Sequence, residues 1–150
     1  MDSLVLFGNG GHCKSCIEVI ESTKKYKIRG IIVHPNDSCE NFMNYKVLGN
    51  DNDISKCFLK DDLALICIGQ IKSPEKRINI FNLVKKNKIV LATIKSKYSI
   101  VSRNSNIGFG SIVMHNVIIN SESQIGYNCI INTNSLVEHE VKIGNHCHIS

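Results

Sequence analysis

His139 and Glu140 stand side by side in Val137-Glu-His-Glu-Val-Lys-Ile-Gly144, and an imidazole beside a carboxylate can do acid–base chemistry. An amine or hydroxyl attacking a carbonyl must lose a proton, and neutral imidazole is suited to take it near pH 7. A carboxylate on the other ring nitrogen fixes the tautomer and stabilises the imidazolium. Glu138 and Glu140 both flank His139, so spacing leaves the orienting acid open. The glycine turn Gly8-Asn-Gly-Gly11-His12 is the second group. Where such a turn opens a helix, its backbone N–H groups can cradle phosphate. As a dinucleotide fingerprint it is poor, because Cys13 replaces the third glycine and His34-Pro35 replaces an acid after the second strand. A phosphate or sugar-phosphate site is favoured over NAD. Cys13-Lys-Ser-Cys16 has neither a partner pair for zinc nor a thioredoxin-like setting. In His146-Cys147-His148, neighbours on a strand point to opposite sides, so at most two could share a metal. No metal is expected. His115 reads as surface, and Lys76 and Arg77 read as the solvated face of a helix.

A six-residue repeat must position His139. Ile107, Val113, Ile119, Ile125, Ile131, Val137, Ile143 and Ile149 share one register. A period of six fits neither a helix nor a hairpin. It fits a parallel β-helix built of hexapeptides, with the β-branched residue pointing inward. Ile-Gly recurs at Ile107-Gly108, Ile125-Gly126 and Ile143-Gly144, one full turn of a three-sided prism apart. His139, two residues past inward Val137, then faces outward.

The glycine turn needs a different frame. Leu4 to Phe7 reads as a buried strand, followed by the turn and by a helix carrying Cys16, Ile17, Val19 and Ile20. Strand, glycine turn and helix open a Rossmann-like unit. Ile28 to Val33 and Leu63 to Ile68 read as further strands, Pro74 to Lys86 as a helix, and Ile89 to Thr93 as a last strand. Val47-Leu48-Gly49 reads as a short strand in an otherwise polar stretch. The expected fold is an α/β Rossmann-like domain over 1–97 and a left-handed parallel β-helix over 98–150. No flexible linker separates them, so they should pack together.

Composition excludes several classes. The chain has 150 residues, is 43% hydrophobic and 21% charged, and carries a net charge of +5. That is globular composition, and no apolar run is long enough to span a membrane. The lysines are scattered and Trp is absent, which disfavours a nucleic-acid face. Seven cysteines, an odd number, argue for reduced thiols in a cytoplasm.

Leu6-Phe-Gly-Asn-Gly-Gly-His12, Ile68-Gly69 followed by Arg77, and the stretch Ile131-Asn-Thr, Val137-Glu-His-Glu140, Ile143-Gly and His148-Ile-Ser150 together resemble one family. It is the bacterial sialic acid O-acetyltransferase family, which also contains N-acetyltransferases acting on UDP-linked 4-amino sugars. The resemblance runs from about Leu4 to the end. It implies an N-terminal domain holding a sugar or nucleotide-sugar acceptor, acetyl-CoA as co-substrate, and a β-helix that forms a homotrimer. It implies His139 as general base with Glu140 as partner, Asn132 near the acceptor, and His148 near the acetyl-CoA thioester. Gly10, Gly11, His12, Gly69 and Arg77 would border the sugar or its phosphates. Two departures stand out. Val33-His34-Pro35 replaces the family's Asp residues, with Asp37 as stand-in, and Lys95-Ser96 replaces its His-Pro. Family members also continue for several coils past the point reached by Ser150. The expectation is therefore a shortened acetyltransferase with weak acetyl-CoA binding, the alternative being a catalytically incomplete sugar-binding or assembly subunit.

Overall fold

The structure, a computed structural model, describes residues 1–150. The N-terminal part runs β1 (Asp2–Phe7), α1 (Gly11–Thr23), β2 (Tyr26–Val33), β3 (Asn41–Phe42), β4 (Tyr45–Asn50), α2 (Ile54–Cys57), β5 (Leu63–Ile66), α3 (Glu75–Lys86) and β6 (Val90–Leu91). The strands form one sheet in the order β3-β4-β2-β1-β5-β6, parallel except for β3. Alternation along β1 explains its two cores. Leu4 and Leu6 join the α1 residues Cys13, Ile17 and Ile20, while Val5 and Phe7 join the α3 residues Phe81 and Val84. The expected isolated strand at Val47 to Gly49 is longer, and is paired with β3 through a two-residue turn. Met43 and Asn44 both have positive φ there, 47° and 67°, which is the geometry of a tight hairpin.

The chain then winds into β7 (Ile94–Lys95), β8 (Ile100–Val101), β9 (Asn106–Ile107), β10 (Ile112–Val113), β11 (Ile118–Ile119), β12 (Gln124–Ile125), β13 (Ile130–Ile131), β14 (Leu136–Val137), β15 (Lys142–Ile143) and β16 (His148–Ile149). These stack as three parallel sheets, β7-β10-β13-β16, β8-β11-β14 and β9-β12-β15, the faces of a triangular prism. Its first rung starts at Ile94. Val113, Ile119, Ile125, Ile131 and Val137 are buried inside. From Asn116 onward each corner turns through the left-handed region: Asn116, Glu122, Asn128, Asn134, Glu140 and His146 all have φ between 53° and 64°. Asn tolerates that conformation, whereas Glu and His sit there at a cost. The recurrent Ile-Gly also has a physical reason. A Cβ on Gly108 would lie 2.5 Å from backbone atoms of Gly126 and Tyr127 in the next coil.

The two parts share a core. Ile94, Ile112 and Ile130 point out of the prism yet are fully buried, because α1 covers that face. No helix is long and apolar enough to cross a membrane.

Candidate active site

The sheet reverses direction of growth between β1 and β5, and in open α/β sheets the crevice beyond the carboxyl ends at such a point takes the ligand. A cleft of about 710 Å³ lies there. In the order of the strands they follow, Asp51 and His34 line one end, the turn Gly8–Gly11 with His12 the middle, and Gly69 and Ile71 the other end. Gly10 caps α1 with its backbone alone, and no side chain satisfies the first-turn N–H groups. Those donors and the positive end of the helix dipole make an anion cradle. A Cβ at Gly10 or Gly11 would meet nothing within 4 Å, so that space belongs to the cleft and not to the chain's own packing.

Under His12 lies a cluster of thiols. His12 Nε2 is 3.3 Å from Cys16 Sγ. Burial pushes the Cys16 thiol up. Hydrogen bonds from Cys67 and His12, and the charges of His12 and Arg77, outweigh it and bring it down to about 6. All seven cysteines are free, and no group of three or more His, Cys, Asp or Glu side chains is placed to hold a metal.

Arg77 corrects the sequence reading: it is not on a solvated face, since it is fully buried. It stands behind the residues that line the cleft. Its guanidinium donates to the carbonyls of Ile66 (2.8 Å) and Ile68 (2.9 Å), and to Oδ1 of Asn128 (2.7 Å). Asn128 in turn donates to His146 Nδ1 at 2.8 Å. Arg77 thus ties β5, α3 and a corner of the β-helix together. Phe81, Tyr127 and Phe109 stack beside it, and His146 sits edge-on to Phe81 and Tyr127. Burial and the nearby Arg77 lower the pKa of His146.

His148 points elsewhere. Its Nδ1 lies 2.8 Å from the carbonyl oxygen of Gln70, which can only accept, so Nδ1 carries the proton and Nε2 is a free acceptor. That Nε2 is buried and has no partner. Gln70 also donates to the His146 carbonyl at 2.7 Å, so the loop after β5 is fastened to the last coil.

His139 and Glu140 form the pair that the sequence anticipates. Nδ1 of His139 lies 2.9 Å from Oε2 of Glu140, which identifies Glu140 and not Glu138 as its partner. Glu138 is occupied by Asn120, 3.0 Å away. An ionised carboxylate only accepts, so the ring proton is on Nδ1 and the lone pair on Nε2 is directed away from Glu140. Both side chains are open to solvent, at 69% and 68% exposure. They occupy the prism edge between β14 and β15, opposite the face that α1 covers. Asn132 begins another edge, half-buried, just after β13. Within one chain, therefore, Gly10, Gly11, His12 and Gly69 gather at the cleft, while His139, Glu140 and Asn132 lie apart from it. Sequence reading missed Asp51, whose place beside His34 depends on strand pairing.

Residues 3–84 match the family described as the PglD N-terminal domain. Solved structures resemble the whole chain. The perosamine N-acetyltransferase PerB of Caulobacter crescentus, in complex with CoA and GDP-perosamine, is 25% identical with a TM-score of 0.85, over 99% of this chain and 68% of that one. The acetyltransferase domain of PglB from Neisseria gonorrhoeae FA1090 is 20% identical with a TM-score of 0.87, over 99% and 70%. WeeI of Acinetobacter baumannii AYE is 18% identical with a TM-score of 0.83, over 97% and 68%. No curated protein matches the sequence.

Proposed function

The chain belongs to the family of the PglD N-terminal domain, and on that premise we propose that it is an acetyl-CoA-dependent sugar acetyltransferase. Its acceptor is an amino sugar carried on a nucleoside diphosphate. The reading rests on one observation above the others: an imidazole oriented by a carboxylate at 2.9 Å on the edge of a hexapeptide β-helix. The likeness in fold to PerB, bound to CoA and GDP-perosamine, supports the substrate class.

Nε2 of His139 takes the proton as the acceptor nitrogen attacks the thioester carbonyl, and the resulting imidazolium is stabilised by Glu140. The C–S bond breaks, the acetyl group stays on nitrogen, and the proton ends on the coenzyme thiol. The cradle at Gly10, Gly11 and His12 holds the diphosphate, and Gly69 lets the sugar lie close to the loop after β5. Asn132 positions the acceptor and His148 the thioester. Arg77 supports the cleft from beneath.

A homotrimer fits this division of labour, since the base and the cleft of one chain lie apart. The prism face carrying β8, β11 and β14 supports it. Ile100, Ile118 and Leu136 point outward in register there, and all three are exposed. Covering such a stripe with a second copy would remove apolar surface from water. Seven free thiols fit a reducing, cytoplasmic setting.

The test is release of coenzyme thiol from acetyl-CoA against a panel of UDP- and GDP-linked 4-amino sugars, with free sialic acids beside them. Turnover with a nucleotide-linked amino sugar is expected. Turnover with sialic acid alone would move the reaction to oxygen, and none with any acceptor would leave a sugar-binding subunit.

A further inference from the structure

β2 ends without the acid that usually receives a ribose in a Rossmann-like cleft, since His34-Pro35 follows Val33. The neighbouring strand supplies one. In the parallel register of β2 and β4, Val33 pairs with Asn50, which sets Asp51 next to His34. Both line the same end of the cleft.

Their hydrogen-bonding states are complementary. The backbone N–H of Asn36 donates to His34 Nδ1 at 3.1 Å, so in the neutral ring Nε2 carries the proton and is a donor. Asp51 is half-buried, and burial pushes its carboxyl up against the pull of His34, with no hydrogen bond from the chain to offset it. By contrast Asp37, the acid that the sequence offers as a substitute, is already engaged by Asn9 Nδ2 at 2.5 Å and by the backbone of Cys39. Asp51 therefore keeps both carboxylate oxygens free to accept from a ligand.

The cleft also has a direction. Its opposite end, at Gly69 and Ile71, adjoins Gln70, which is bonded to His146 and His148 of the β-helix. The reacting sugar belongs at that end, and the glycine turn with its phosphate donors lies between. The His34–Asp51 end, about two strand spacings or 10 Å from the turn, is left for the nucleoside. We infer that Asp51, the first residue after β4, takes the place of the missing acid after β2 and accepts hydrogen bonds from the ribose 2′,3′-diol of the acceptor nucleotide, with His34 donating beside it. This rests on the reading of the acceptor as nucleotide-linked.

Calorimetric titration of the full chain with GDP and UDP, each beside its 2′,3′-dideoxy counterpart, tests it. The wild type should bind the ribonucleotide about 10- to 100-fold more tightly than the dideoxy form, the value of hydrogen bonds to a charged group. Asp51→Asn should weaken ribonucleotide binding and bring the two forms close together. Equal binding of both forms by the wild type overturns the inference and leaves the acceptor reading standing. So does an Asp51→Asn variant that keeps the full preference. If neither GDP nor UDP binds the wild type, the acceptor reading falls and the inference with it. Should Asp51→Asn fail to fold, the wild-type preference alone decides.

Discussion

The cleft and the His139 edge are opposites in construction. The cleft is recessed, walled by residues that follow four strands, and held from below by a buried guanidinium that touches both parts of the chain. The His139–Glu140 pair stands in solvent, fixed only by one hydrogen bond to each other and by the corner that carries them. Binding needs an enclosed surface that excludes water, so its residues are costly to disturb. A proton acceptor needs only the right ring in the right tautomer, so it can be removed without the fold noticing.

That contrast can be broken at its strongest point first. His139→Ala should cut turnover about 10²- to 10⁴-fold with no change in the urea midpoint. A loss below about tenfold, measured by thiol release at saturating acceptor, would argue against the base. Arg77→Met should do the reverse, lowering the unfolding free energy by roughly 3 kcal/mol, because the carbonyls of Ile66 and Ile68 and the amide of Asn128 lose their donor. A urea melt shifted by less than about 1 kcal/mol would mean that other donors reach those oxygens. The smallest effect sharpens the contrast. Glu122 and Glu140 both occupy left-handed corners, with φ of 63° and 61°. Replacing either with Asn should stabilise the chain by about 0.5 to 1 kcal/mol in thermal melts. Only Glu140→Asn should also slow turnover. If both slow it equally, the carboxylate of Glu140 has no special part.

Much of this was legible in the sequence, for physical reasons. Coils that stack must put a β-branched residue inward at every rung, so the series from Ile107 to Ile149 announces itself. The glycine turn and the position of His139 follow from the same local rules. What escaped depends on partners far along the chain. Ile112 and Ile130 point out of the prism, and only the packing of α1 explains why they are buried. Arg77 looks like any helix arginine until Asn128 arrives to meet it. Asp51 becomes a candidate ligand only through the pairing of β4 with β2. Met43-Asn44 makes a hairpin turn in which only the Asn is a typical turn residue.

The winding has a phase. Each residue lies above another eighteen positions earlier, as Lys142 does above Gln124 and Leu136 above Ile118. An insertion of six residues ahead of His139 would preserve every inward Ile and Val, yet swing the histidine onto the next edge. An insertion of eighteen would return it to the same edge, one storey higher. Natural variants of this chain can therefore grow taller by whole coils without losing the bearing of the imidazole, but cannot drift by single faces.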